Sequence, residues 1–147
     1  MAKVTFVLGL CGAGKTFLAN QLKSETGAEI FEGIVGAHNP TGLRDMLDRL
    51  RQGIDCVVEE IAYCCAHSRE TIVKILRSQV QGVEIAWICL ENDLESANWN
   101  VTHRDEAEKQ NIQGHIDINR KYHRLYTYPD GATIKPITRI NQGGAYA

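Results

Sequence analysis

The chain predicts an α/β protein with a three-layer α/β/α build, a sheet of five parallel strands carrying helices on both faces. Three observations support that expectation. Apolar runs of strand length alternate with stretches whose apolar residues recur every three or four positions. Glycines or clusters of turn formers separate most of these stretches from the next. At the start of the chain an apolar run, a glycine-rich loop and a helical stretch follow one another directly. Strands and helices that alternate in this way form parallel pairs joined by right-handed crossovers.

In chain order, Val4 to Leu10 is an apolar run broken only by Thr5, as a strand buried on both faces requires. Beyond Lys15, Leu18 and Leu22 share one helical face, and Gly27 ends the helix. Ala28 to Glu32 is a short second strand, followed by a loop containing Gly33, Gly36, His38, Asn39 and Pro40. Thr41 is the expected N-cap of a helix that carries Leu43, Leu47 and Leu50 and stops at Gly53. Ile54 to Val58 is a third strand, closed by Glu59 and Glu60. Ser68 is the expected cap of a helix with Ile72, Leu76 and Val80 at four-residue spacing, ended by Gly82. Val83 to Leu90 is the fourth strand. Asn92 and Glu95 have capping-box spacing before a helix marked by Leu94, Ala97 and Val101. A further helix is expected over 106–126, with Ile118, Tyr122 and Leu125 as its stripe. Pro129-Asp130-Gly131 turns the chain into a last strand, 133–137, which Pro136 marks as peripheral. The Gly/Ala-rich tail, 141–147, is expected to fray.

A length of 147 residues suits one domain, 1–147, with a single substantial core. The net charge of −2 gives no global field for recruiting nucleic acid or an anionic membrane. Apolar runs fall well short of the roughly 20 residues that span a bilayer. The first strand begins near the N-terminus and leaves no room for a signal peptide, so a cytoplasmic protein is expected. The five cysteines, Cys11, Cys56, Cys64, Cys65 and Cys89, show neither C-x-x-C nor Cys/His metal spacing. Cys56 and Cys89 lie in strand-like runs, where a free thiol acts as a small hydrophobe.

The chemistry centres on Gly9-Leu10-Cys11-Gly12-Ala13-Gly14-Lys15-Thr16, which matches G-x-x-x-x-G-K-[ST] between a strand and a helix. Three glycines let the backbone wrap round a phosphate and aim N–H groups inward. The helix start adds its positive end. Gly9, Cys11, Gly12, Ala13, Gly14, Lys15 and Thr16 therefore form an expected nucleoside triphosphate site. Lys15 supplies charge to the β- and γ-phosphates, and Thr16 offers a hydroxyl to magnesium.

Ligands of parallel sheets bind beyond the carboxyl ends of the strands. Glu59 and Glu60 stand at such an end, where an acid holds the water shell of the magnesium. Neighbouring strand residues point to opposite faces, so one of the pair faces the metal, and the sequence leaves open which. Glu32 ends the second strand on the same edge and is the candidate general base; His38 is a weaker candidate nearby. A transferring phosphoryl group also needs cations. Arg104 in His103-Arg104-Asp105, and Arg120, Lys121 and Arg124 further on, form a basic segment over 103–124. Arg104 and Arg124 are the expected lid cations of that segment.

With GLCGAGKT, the acidic strand end VVEE and a single basic segment after the fourth strand, the sequence resembles the small kinases of the P-loop superfamily. That branch includes nucleotide, nucleoside, polynucleotide and small-metabolite kinases. The resemblance implies a five-stranded parallel sheet in the order 2-3-1-4-5, with Glu32 at the base position and Arg104 at the first lid position. It implies an ATP-dependent kinase using ATP and Mg2+, with a nucleoside, nucleotide or polynucleotide end as acceptor. Departures are visible: Glu32-Gly33 stands where Asp or Asp-Arg is usual, and one helix fits between the second and third strands. The alternative is a P-loop ATPase or nucleotide-binding module acting on a protein partner. A GTPase would carry Asn-Lys-x-Asp, which this sequence lacks.

Overall fold

The computed structural model describes residues 2–104 and 111–140. Its elements run β1 (Lys3–Leu8), α1 (Lys15–Thr26), β2 (Glu29–Glu32), α2 (Pro40–Arg51), β3 (Cys56–Glu59), a 3-10 turn (Ile61–Cys64), α3 (Ala66–Gln79), β4 (Glu84–Leu90), α4 (Leu94–Thr102), α5 (Ile112–Leu125) and β5 (Thr133–Lys135). The sheet has the order β2-β3-β1-β4-β5 and every pairing is parallel. Fold class and strand order are those expected from the sequence and its resemblance.

Strand alternation divides the core into two layers. Val7 and Val57 point to one face, where Leu18 and Ala19 of α1 cover them. Val4, Phe6, Leu8 and Val58 point to the other, against Leu47 and Leu50 of α2 and Ile72 and Leu76 of α3. Phe6 is fully buried there, edge-on to Tyr63 at 5.0 Å and stacked on Trp87 at 4.6 Å between ring centres. Register sets what meets at the carboxyl edge: Glu59 is paired with Val7 on one side and Glu32 on the other.

Several helix starts differ from expectation. The N-cap of α2 is Asn39, whose Oδ1 accepts from the Gly42 amide at 3.0 Å; Pro40 takes the first helical position, moving the cap back from Thr41. Asp93, rather than Asn92, caps α4 by accepting from the Ser96 amide at 3.0 Å. Helix α3 begins at Ala66, with Ser68 already inside it. Of the expected stripe of α5, Tyr122 packs against the core, whereas Ile118 and Leu125 are exposed; Asn119 is fully buried. The expected start of α5 near Glu106, Asp105, and the tail 141–147 lie outside the described residues.

Candidate active site

The loop between β1 and α1 takes its shape from two glycines with positive φ. Gly14 (φ 102°) lets the chain turn into α1, which starts, among the described residues, with no side-chain cap and no acid in its first turn. Its first amides are the orphan donors of every helix start, and they follow directly on the loop. Gly12 (φ 84°) presses its Cα against α4: an added Cβ would stand 2.6 Å from the Ala97 carbonyl oxygen.

Two buried asparagines hold the loop from behind. The Asn119 Oδ1 accepts from the Cys11 amide at 2.6 Å, while its Nδ2 donates to the Cys11 carbonyl at 2.9 Å and to the Asn98 Oδ1 at 3.0 Å. Asn100 donates to the Gly12 carbonyl at 2.8 Å and the Thr138 carbonyl at 3.0 Å, and accepts from the Ile140 amide at 2.7 Å. An amide side chain can satisfy a peptide's donor and acceptor together. Nothing in the sequence singled these residues out, since an asparagine in a helix reads as a surface polar group.

In front of the loop stands a hydroxyl–carboxylate corner. The Thr16 hydroxyl donates to the Glu59 Oε1 at 2.7 Å. The other carboxylate oxygen, Glu59 Oε2, is buried with no hydrogen-bond partner. A buried acceptor left unpaired costs about 1–3 kcal/mol, unless an ion or its water fills the gap. A hydroxyl and a carboxylate in contact suit magnesium, which keeps most of its waters and asks for one or two protein oxygens. Among the described residues no cluster of three or more His, Cys, Asp or Glu forms a closed metal cage. Glu59 shares its face with Val7, and Glu60 follows it on the opposite side of the strand end.

Lys15 sits in the same hollow, its Nζ donating to the Leu10 carbonyl at 2.9 Å. Burial holds its pKa below the usual lysine value, against the opposing pull of nearby Cys11, Cys64, Glu59 and Glu60. Cys11, Gly12, Gly14, Lys15, Thr16 and Glu59 line a cavity of about 530 Å³, together with Arg104 and His115. The Arg104 Nη1 lies 3.4 Å from the His115 Nδ1. A second hollow of about 220 Å³ adjoins it, lined by Ala13, Phe17, Leu18, Leu90 and Pro136 among others. Gly9 is the buried floor of the loop, tight against Ala13 and Leu90.

The remaining expected site residues stand elsewhere. Glu32 is exposed at the end of β2, beside Glu59 in register but outside the cavity lining. Arg124 is exposed on α5, nine residues beyond His115 and so about two and a half turns on, opposite the face that meets the loop. His38 is exposed in a turn. Burial drives the Cys56 and Cys64 thiols up to about 12, so both remain uncharged hydrophobes.

The architecture has close counterparts among solved structures. A sugar kinase from Janibacter aligns with a TM-score of 0.59 at 17% identity, over 93% of this chain and 85% of that one. A gluconokinase from Sinorhizobium meliloti gives 0.59 at 15% identity, over 92% and 82%. A fungal RNA kinase gives 0.59 at 15% identity, over 92% and 74%. The chain shares its fold with these kinases. At such identities the likeness is one of fold. No protein-family model matches the chain, and no curated protein does. No described helix of this fold is long and apolar enough to cross a membrane.

Proposed function

We propose that the protein is an ATP-dependent phosphotransferase that passes the γ-phosphoryl group of magnesium-ATP to a nucleoside, nucleotide or polynucleotide end. The observation that carries this reading is the corner at Thr16 and Glu59, a 2.7 Å hydrogen bond beside a buried, unpartnered carboxylate oxygen. It stands at the mouth of an amide-lined loop and in one cavity with Lys15 and Arg104. In this reading the loop amides and the start of α1 hold the phosphate chain. Lys15 gives up the Leu10 carbonyl for the β- and γ-phosphates, and Arg104 neutralises charge from the α4 side. Thr16 and Glu59 would hold magnesium, which when bound screens the charge between β- and γ-phosphates. Glu32, on the neighbouring strand, is the base for a hydroxyl acceptor. The hollow lined by Phe17, Leu18, Leu90 and Pro136 offers an apolar seat for the nucleobase.

The test combines calorimetric titration of magnesium-ATP with labelled transfer to nucleosides, nucleotides and 5′-hydroxyl oligonucleotides. Glu59→Gln keeps the Thr16 hydrogen bond while removing the charge, so half-saturating magnesium should rise about 10- to 100-fold. ATP binding without metal should stay unchanged. Overlapping magnesium titrations of the variant and wild type would defeat the assignment. Phosphate release that no acceptor diverts would favour the hydrolase instead.

A further inference from the structure

Among the described residues, the basic groups lining the cavity include one, His115, to which phosphate binding of the kind proposed above assigns no use. His115 projects from α5 into the lining with Lys15 and Arg104, and it is half-buried. A guanidinium can only donate hydrogen bonds. The ring nitrogen 3.4 Å from Arg104, Nδ1, therefore faces it with a lone pair, which puts the proton of a neutral ring on Nε2. Burial, and then the positive charges of Arg104 and Lys15, hold the His115 pKa below its ordinary 6.5. Two cations and a neutral imidazole thus share one cavity, with Glu59 the carboxylate in its lining.

We propose that His115 is a phosphate-binding residue of this cavity, neutral before a nucleoside triphosphate enters and protonated while it is bound. The inference rests on the phosphotransferase reading of the same cavity. Polyphosphate oxygens bring several negative charges into a space where burial, and then the positive charges of Arg104 and Lys15, lower the His115 pKa. The same oxygens accept from Arg104, which releases the Nδ1 lone pair. One proton then passes from solvent to Nδ1, giving an imidazolium with two N–H donors.

The charged groups around the ring have defined places. Arg104 stands just beyond α4, Lys15 on α1, Cys11 in the loop and Glu59 at the end of β3, all in the cavity lining. Asp117 on the same helix is exposed; it accepts from Gln113 at 2.9 Å and lies 3.8 Å from Arg120. Glu60 acts on Tyr122 of that helix and on Lys15. Asp105, Glu106, Glu108 and Lys109 lie outside the described residues.

The sign is fixed by linkage. A group that binds its proton more tightly in the complex strengthens ligand binding as pH falls through its bound and then its free pKa. The experiment is calorimetry of magnesium-ATP binding near pH 6.5 in buffers of different ionisation enthalpy, for wild type and His115→Gln. Wild type should take up a proton fraction that the variant does not. Protonation of ATP itself is common to both and cancels. Across pH 8 to 5.5 the wild-type affinity should gain about tenfold over the variant, the factor for one unit of pKa difference. Ring NMR of wild type, with and without magnesium-ATP, gives the same answer if the variant folds poorly: the His115 pKa should rise on binding. ATP that binds with equal proton uptake in both proteins, or with no rise in the His115 pKa, overturns this inference and leaves the phosphotransferase reading standing. No binding of magnesium-ATP to wild type at any pH removes both.

Discussion

The two sides of the candidate site are built differently. On the loop side three residues are braced: Cys11 by Asn119, Gly12 by Asn100, Thr16 by Glu59. Behind it stand helices α4 and α5, so the loop's shape is fixed before a ligand contributes anything. On the side proposed for the acceptor, Glu32 ends a four-residue strand in the open, and the chain from Gly33 to Asn39 makes turns before α2 begins. There the buried anchor is Ile34, whose carbonyl accepts from the Tyr63 hydroxyl. The contrast separates two physical tasks. Gripping polyphosphate needs amides and cations held at fixed positions, because their value lies in not reorganising. Admitting an acceptor needs room at a strand end, and a short β2 with a single following helix supplies it.

That contrast breaks most visibly at Glu32. With a hydroxyl acceptor, Glu32→Gln should slow transfer by about 100- to 10,000-fold, the usual range for losing a general base. ATP affinity should be unaffected, because the braced side is untouched. Transfer within about threefold of wild type, outside the general-base range, would take Glu32 out of the mechanism.

Asn119→Ala tests the bracing itself. It strips the partners from both polar groups of the Cys11 peptide, which should cost about 1–3 kcal/mol of stability. Magnesium-ATP affinity should fall with it, and chemical denaturation and titration would be read on one preparation. A variant as stable as wild type would show that the loop keeps its shape unaided. The smallest effect is expected at Arg124→Ala. This exposed residue should change stability by no more than about 0.5 kcal/mol, with ATP affinity unaltered. A clear loss of ATP affinity there, set beside Arg104→Ala, would bring α5's outer face into the site.

How much of this was legible in the sequence follows from how each part is constrained. The loop was legible because its backbone admits few residue types: Gly12 and Gly14 occupy positive φ, and a Cβ at Gly12 would strike Ala97. Strand order came from resemblance, since five apolar runs say nothing of who pairs with whom. The choice between Glu59 and Glu60 needed the register with Val7, which strand alternation alone leaves ambiguous. Asn100 and Asn119 were invisible because their partners are backbone groups 88 and 108 residues away. The same cause misled part of the reading of α5: its inner face meets a polar loop as well as the core, so Ile118 and Leu125 lie outward while Tyr122 packs inward. Two helix caps went astray by a residue or two where capping residues stood close together, at Asn39 and Thr41 and at Asn92-Asp93.

Asn100 also sets a timetable. It joins a glycine near the beginning of the chain to the carbonyl of Thr138 and the amide of Ile140. Synthesis proceeds from the N-terminus at about 5–20 residues per second, so the loop is made first and its brace is completed last. Until α4 has been made, the Gly12 carbonyl lacks its Asn100 partner. The shape of the loop therefore depends on residues made much later, and a product cut short before Thr138 would lack the groups that hold Asn100 in place.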